Sequence, residues 1–367
     1  MHPEQTEIIT PKTVNFPETA KQEFIAYIKE HCSDDNPYVD FESKRYALAV
    51  KMHDALKKVA QEQGNEAKNA KELLEFTGNL RKGRNNPPLL IKNFPVDAKE
   101  DLLSPPTNPK DFSHSPPEKT GKKGYITEWA LEAFNTLSSM SPIQKKSLQD
   151  GRRYHWLIPR KGKEDSKSSY GSMLFELHTE DASHLGDNDM QIMLLGLRNK
   201  KTPTILLPLE DAKRIFIKEF SKEELDLLKL PVFKFTPDTK RFQDALPCTR
   251  AMLKCNLEGD FTEMQMHGNL DRIKVDQEAV RNHNVDTGRV QALIKKVSNV
   301  LAEINQGVIL GHGDLLVFDN LRALHSRTYL HEDDRKKGEE RHLMRTQSYR
   351  DDVVKGRVEN EIGASRS

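Results

Sequence analysis

Hydrophobic and polar positions along this chain follow two different periods. Near the N-terminus the period is helical. In 18–31, Phe24, Ile25 and Ile28 fall on one side, and in 41–61 Tyr46, Val50, Leu56 and Val59 do the same. A shorter helix is predicted at 71–79. The clearest amphipathic segment is 287–305, where Val290, Leu293, Ile294, Val297, Val300, Leu301 and Ile304 make one stripe. Short apolar runs bounded by turn residues predict strands at 89–91, 154–159, 173–178, 190–197, 204–207, 231–235, 251–255, 272–275, 308–310, 313–319 and 342–349. Ser141-Pro142-Ile143-Gln144 reads as a helix start: serine caps, proline suits the first helical position, and glutamine stands three residues on. Ser221-Lys222-Glu223-Glu224 reads as a second capping box.

Many short strands, turns between them and helices at the periphery predict a jelly-roll core, an α+β chain that is mainly β. Residues 1–17 are polar and read as an extended lead-in. The expected organisation is an N-terminal helical segment, 1–84, packed on a jelly-roll domain, 85–350, followed by a charged tail, 351–367. Within the domain, 97–124 is rich in proline, serine and lysine and predicts a loop excursion, 161–169 predicts a second loop, and 209–305 predicts a helical insert. There is no internal repeat.

Composition narrows the function classes. Lys+Arg is 57 and Asp+Glu is 56 over 367 residues, so no broad field draws the chain to nucleic acid or to an anionic membrane. Charged residues make up 31% and hydrophobic ones 36%, as expected of charged loops around a compact core. Cys32, Cys248 and Cys255 form no C-x-x-C pair, which suits a reducing compartment. No basic-then-apolar signal pattern opens the chain, and no apolar run is long enough to span a bilayer. The expectation is a soluble cytoplasmic protein acting on a small molecule, with no nucleic-acid or membrane partner; the oligomeric state is left open.

The chemistry concentrates at Leu177-His178-Thr179-Glu180-Asp181. Alternate residues of a strand share a face, so His178 and Glu180 would lie together with Thr179 turned away. An imidazole and a carboxylate so placed are two-thirds of a 2-His-1-carboxylate facial triad, the ligand set of non-haem Fe(II) oxygenases. With 13 histidines in the chain such pairs arise by accident, so the motif requires a third ligand. Gly313-Asp314-Leu315-Leu316-Val317-Phe318-Asp319-Asn320-Leu321-Arg322-Ala323-Leu324-His325-Ser326-Arg327 supplies a candidate: a tight turn, an apolar strand ending in Asp319-Asn320, and then His325.

These two segments resemble the proximal and distal halves of the iron site in the clavaminate synthase-like, TauD-type Fe(II)/2-oxoglutarate dioxygenases, with Glu180 where most relatives carry aspartate. The separation of His178 and His325 suits a jelly roll whose middle strands are divided by an insert. Ile91-Lys92-Asn93-Phe94-Pro95-Val96-Asp97 with Ser104-Pro105-Pro106-Thr107 is similar to the family's early strand and proline loop. Gln149-Asp150-Gly151 with Trp156-Leu157-Ile158-Pro159 is similar to the strand before the triad, and Met193-Leu194-Leu195-Gly196-Leu197-Arg198 to the strand after it. The likeness covers about 85–350.

The resemblance implies a double-stranded β-helix, cupin-like, with His178, Glu180 and His325 as ligands of Fe(II), and with 2-oxoglutarate and O2 as cosubstrates. Arg341-His342-Leu343-Met344-Arg345 fits the family's Arg-x-Leu-x-Arg pattern. Arg341 would hold the far carboxylate of 2-oxoglutarate with two parallel hydrogen bonds, and Thr204 would bond the same carboxylate. Arg345, Gln149, Ser169, Asn269 and Asp271 match positions that meet cosubstrate or substrate in amino-acid hydroxylases. Asn269 stands where arginine-specific relatives carry an aspartate. His184, His267 and His312 are read as structural. The implied activity is hydroxylation of an unactivated C–H bond of a small polar substrate, a free L-amino acid such as lysine, arginine, ornithine or a neutral polar one, with release of succinate and CO2. The alternatives are desaturation or cyclisation by the same cofactors, another small acid as substrate, or a non-catalytic jelly roll that binds metal and 2-oxoglutarate. A filled carboxylate position argues against a halogenase.

Overall fold

A computed structural model describes residues 10–32, 42–83, 86–99, 125–143, 153–159, 165, 171–180, 190–236, 247–266, 272–336 and 340–351. Two sheets face each other across an apolar layer, with helices stacked on both outer faces. The larger sheet has seven strands in the order β1 (Lys12–Asn15), β2 (Leu89–Lys92), β14 (Leu315–Asp319), β6 (Gln191–Arg198), β16 (His342–Arg350), β3 (Met140–Pro142), and β4 (His155–Leu157) also pairs with β16. Apart from the parallel β1–β2 pair, its ladders are antiparallel. The smaller sheet runs β13 (Gly307–Val308), β7 (Thr204–Pro208), β15 (Ala323–Arg327), β5 (Phe175–His178).

The central strand β6 explains this layering. Its run Gln-Ile-Met-Leu-Leu-Gly-Leu-Arg is apolar on both faces, as a strand covered on both sides must be. Ile192 and Leu194 pack with Leu316, Phe318 and Leu343 against Leu206 and Ala323 of the smaller sheet. Met193, Leu195 and Leu197 turn the other way, into a cluster shared with α1 (Glu18–His31), α2 (Glu42–Ala60), α3 (Asn65–Arg81) and α4 (Ile126–Leu137). Behind the smaller sheet, Leu177, Ile205, Leu207 and Leu324 meet the stripe of α8 (Thr287–Ala302) and the apolar face of α5 (Leu209–Glu219). The rest of that flank is α6 (Lys222–Leu228), a three-stranded sheet of β12 (Ile273–Val275), β8 (Phe233–Phe235) and β9 (Cys248–Arg250), the hairpin β10 (Leu253–Cys255) with β11 (Phe261–Met264), and α7 (Gln277–Asn282). Among the described residues no helix is long and apolar enough to cross a membrane.

Several expectations are met and several are corrected. The capping box at Ser221 forms in both directions: Glu224 N–H donates to Ser221 Oγ at 3.2 Å and Ser221 N–H to Glu224 Oε2 at 2.8 Å. Ser141-Pro142 does not start a helix. It lies in β3, where Ser141 faces Tyr349 and Pro142 faces Ser348. β3 is an edge strand, the place in a sheet where a missing N–H is tolerated. The stripe expected on α2 is out of phase. Leu56 and Val59 are buried as expected, but Tyr46 and Val50 are exposed, and Leu48, Met52 and Ala55 are buried in their place. The Arg45 guanidinium lies over the Tyr46 ring, 4.8 Å from its centroid, and keeps that ring at the surface. Helix α4 has no counterpart in the sequence reading. Every residue from Thr127 to Leu137 is buried, so it lacks the polar face that periodicity detects. Two of its polar groups are bonded within the core: Tyr154 donates to Glu132 at 2.7 Å and Ser348 to Asn135 at 2.7 Å. Residues 100–124, the bulk of the expected proline-rich excursion, lie outside the described residues.

Gly196 marks the closest backbone approach in the large sheet. A Cβ there would stand 2.1 Å from the Gly311 carbonyl oxygen and 2.3 Å from that of Leu310. Gly196 is also bonded on both sides of this crossing, its N–H to Asp314 O at 2.8 Å and its C=O to Gly313 N–H at 2.9 Å. Gly196→Ala should therefore cost about 3 kcal/mol or more, because backbone cannot yield as a side chain does. Urea unfolding measures this, and a loss below about 0.5 kcal/mol would contradict the tight crossing.

Candidate active site

The smaller sheet brings the two halves of the motif together. β5 and β15 are antiparallel, and His178 lies directly opposite His325 in their register. Their ring centroids are 4.3 Å apart. β5 ends at His178, and Glu180 stands in the turn that follows rather than in the strand itself. Thr179 turns away as expected and locks to Met266, its N–H donating to Met266 O at 3.0 Å and its hydroxyl to the same oxygen at 3.1 Å. Buried Asn320 clamps the next residue from both sides. Glu180 N–H donates to Asn320 Oδ1 at 2.7 Å, and Asn320 Nδ2 donates to Glu180 O at 3.1 Å. The polar end of β14 thus sets where the carboxylate points.

Glu180 Oε1 lies 3.4 Å from His325 Nε2 and 4.0 Å from His178 Nε2. One ligand atom from each of the three residues falls within 4.8 Å of the others. Two ligands bound at right angles about 2.1 Å from one ion stand about 3 Å apart, so small adjustments would close this set on a metal. His178 Nδ1 donates to the Glu176 carbonyl at 2.8 Å. That bond leaves its Nε2 lone pair directed at the cluster, the tautomer a metal requires. Burial pushes the Glu180 carboxyl up, but the charge of Arg345, a hydrogen bond from His325 and the two imidazoles outweigh it and hold it well below the usual carboxylate range. Two imidazole nitrogens and one carboxylate on a single face are a donor set suited to ferrous iron.

A cavity opens beside the triad, walled by Leu157, Phe175, Leu194, Leu343, Thr204 and Ser326. Arg327, Arg341 and Arg345 also line it. The Arg341 guanidinium is buried, donates to Thr204 Oγ1 at 3.4 Å and leaves its Nε without a partner. Burial and the neighbouring charge of Arg327 push its pKa down to about 9, against an opposing pull from Asp334. A buried cation so placed gains from a carboxylate, and the fork of a guanidinium fits one in two parallel bonds. Arg327 is held by the carbonyls of Gly171 and Met173, each at 2.7 Å. Arg345 bonds the Glu180 carboxylate and also lines the cavity, and its Nε has no partner among the described residues.

Asp334 fixes the entrance of this wall. Its carboxylate accepts from the backbone N–H of Lys200, Lys201 and Thr202 at 2.7, 3.0 and 2.7 Å, and from the Thr202 hydroxyl at 2.6 Å. Its carbonyl accepts from Arg341 N–H at 2.9 Å. One residue thereby ties the turn before β7, which carries Thr204, to Arg341, the residue just ahead of β16.

Of the residues expected from sequence, His178, Glu180, His325, Arg341, Thr204 and Arg345 come together at one cavity. Gln149, Ser169, Asn269 and Asp271, with His184 and His267, lie outside the described residues. His312 bonds the Leu197 carbonyl at 3.1 Å, a structural contact. Sequence reasoning missed Arg327, Asn320 and Asp334. Asn320 could have been found as an amide closing a strand beside an acidic turn; nothing local marks the other two.

The two facing sheets with helices outside are similar in fold to solved structures of non-haem iron oxygenases. A structure of the non-haem iron oxygenase OrfP in complex with Fe and alpha-ketoglutaric acid matches with a TM-score of 0.69 and 20% identity, over 95% of this chain and 96% of that one. An asparagine oxygenase in complex with Fe(II), 2S,3S-3-hydroxyasparagine and succinate matches with a TM-score of 0.64 and 17% identity, over 91% and 92%. OrfP with Fe, succinate and (3S)-hydroxy-L-Arg matches with a TM-score of 0.68 and 19% identity, over 95% and 96%. At such identities the likeness is one of fold. No protein-family model matches the chain, and no curated protein matches it in sequence.

The Asp334 carboxyl is pushed up by burial, yet its bonds from Thr202 and from the N–H groups of Lys200, Lys201 and Thr202 hold it below the usual range. A folded-state pKa below the unfolded value stabilises above the unfolded value, and that contribution is lost as pH falls through the folded one. Asp334→Asn should cost about 2 kcal/mol at neutral pH. The gap from the parent protein in urea unfolding should close on acidification. A gap that does not vary with pH would show that the negative charge is not what the site uses.

Proposed function

We propose that the protein is an Fe(II)/2-oxoglutarate-dependent oxygenase that hydroxylates a C–H bond of a small polar substrate, a free L-amino acid. One observation carries the reading: two imidazoles and a carboxylate converge in a cavity whose far wall holds a buried guanidinium with an unpartnered nitrogen. We read the facing sheets as the halves of a double-stranded β-helix, with 1–84 packed on its outer face and 209–305 as an insert. His178, Glu180 and His325 would hold ferrous iron by one face. Arg341 and Thr204 would hold the far carboxylate of 2-oxoglutarate. Bound together, iron and cosubstrate supply the oxidising chemistry, with O2 consumed and succinate and CO2 released.

The chain's own residues bind, orient and exclude water. Asn320 and the Glu176 carbonyl fix two of the three ligands before metal arrives, so little reorganisation is needed. Phe175, Leu157, Leu194 and Leu343 keep the cavity wall apolar, which strengthens every charged contact inside it. Arg345 balances the Glu180 charge and keeps that carboxylate ionised, as a metal ligand must be. The relatives in fold act on free amino acids, as the hydroxyasparagine and hydroxy-arginine in their structures indicate, and that supports the same class of substrate here. All three cysteines are free thiols, which fits a reducing compartment, the cytoplasm.

The test is anaerobic loading with Fe(II) and 2-oxoglutarate, then exposure to O2 with a panel of free L-amino acids. Succinate should form in step with a product one oxygen heavier. Arg341→Ala should raise the KM for 2-oxoglutarate at least tenfold, the loss of a charge-assisted pair costing about 1.5–3 kcal/mol. Cosubstrate that binds but is never consumed would favour the non-catalytic reading, and an unchanged KM would reject the role of Arg341.

A further inference from the structure

Gln347 is 1% exposed, and among the described residues neither its amide nitrogen nor its amide oxygen has a hydrogen-bond partner. A buried amide with both ends unsatisfied costs stability, and a structure that keeps one needs a reason. The position of the residue supplies it. Along β16, Leu343 and Tyr349 belong to the layer between the sheets, whereas Met344 faces the helices. Gln347 shares its face with Leu343, Arg345 and Tyr349, the face that lines the cavity at Leu343 and Arg345. Across the ladder, Arg345 pairs with the cavity residue Leu194 and Gln347 with its neighbour on the same face, Ile192. Its backbone is already used, the carbonyl accepting from Ile143 N–H at 2.7 Å. Arg345 Nε and both amide atoms of Gln347 therefore stand along one face of β16 without partners among the described residues.

We propose that Gln347 is a substrate-contacting residue that determines specificity by pairing with a primary carboxamide, so that the substrate is an α-amino acid whose side chain ends in that group. The proposal rests on the function argued above and narrows it. A planar amide offers a donor beside an acceptor, and the group that satisfies both at once offers an acceptor beside a donor, as glutamine does when it pairs with adenine. A carboxylate would satisfy the NH2 and leave the oxygen facing negative charge. An ammonium would satisfy the oxygen alone, and would bring a second cation beside Arg345 on a face whose one described carboxylate, Glu180, is already shared with that arginine. A neutral carboxamide meets both requirements. Two residues of strand span about 6.8 Å. Arg345, through its open Nε, can then take the α-carboxylate while Gln347 takes the far end of a short amino acid.

The experiment is anaerobic calorimetry of the protein with Fe(II) and 2-oxoglutarate, titrated with L-asparagine, L-glutamine, L-glutamate, L-lysine and L-ornithine, for the parent protein and for Gln347→Leu and Gln347→Glu. At least one carboxamide amino acid should bind, ahead of the charged ones. Both substitutions should weaken it roughly tenfold or more, because a site built to bond an amide rejects what cannot pair. Gln347→Leu should leave the protein as stable as its parent or more so in thermal unfolding, since it removes an unsatisfied amide at similar volume. A structural glutamine would show the reverse, with lowered stability and unaltered amino-acid binding, and that result overturns the proposal. So does a parent protein that binds neither carboxamide. Because the readout is binding, the outcome stands apart from turnover. Failure to convert 2-oxoglutarate would defeat the proposed function, while calorimetry decides on Gln347 separately.

Discussion

The register between β5 and β15 is the constraint from which the site follows. His178 and His325 are far apart in the chain and directly opposed in the ladder. Opposed residues on one face of an antiparallel pair stand about 5 Å apart at Cβ, close enough for two rings to converge. A slip of one residue would turn either ring to the other side of the smaller sheet, into the apolar cluster of Leu177 and Leu324. The register is held by what packs on that far side, so the core behind the sheet and the chemistry in front of it are specified together.

Electrostatics adds a second layer. Arg327, Arg341 and Arg345 line one small cavity with the Glu180 carboxylate. Arg345 is paired with that carboxylate, and Arg327 is fastened to two carbonyls. Arg341 bonds a single hydroxyl at 3.4 Å and is under the greatest strain of desolvation, its pKa pushed down to about 9. A protein folding for stability alone would replace such a group with an apolar one. Its retention, beside an ordered Thr204 and the Asp334 knot, is the kind of local cost that binding sites carry.

The three candidate ligands were legible because they sit in short motifs, His178-Thr179-Glu180 and the strand that ends before His325, and because a known family arranges such motifs in a recognisable way. The major strands were legible as apolar runs. The phase of α2 was not, since Tyr46 and Val50 compete with Leu48 and Met52 for the same periodicity and only packing against α4 decides. Helix α4 was hidden for the opposite reason: buried all round, it has no pattern of contrast. β15 was missed because His325, Ser326 and Arg327 make it polar, and it is polar because those three wall the cavity. Asp334 works through backbone groups of a distant turn, which no local signal announces. The residues hardest to read were those whose role is to hold others in place.

The most direct measurement is ferrous-ion stoichiometry by anaerobic equilibrium dialysis, for the parent protein and for His325→Ala, with a check that both unfold at similar urea concentrations. The convergence of His178, Glu180 and His325 predicts one tightly held ion per chain, lost or much weakened in the variant. A folded parent protein that retains no ferrous ion, or a variant that holds it equally well, would contradict the account.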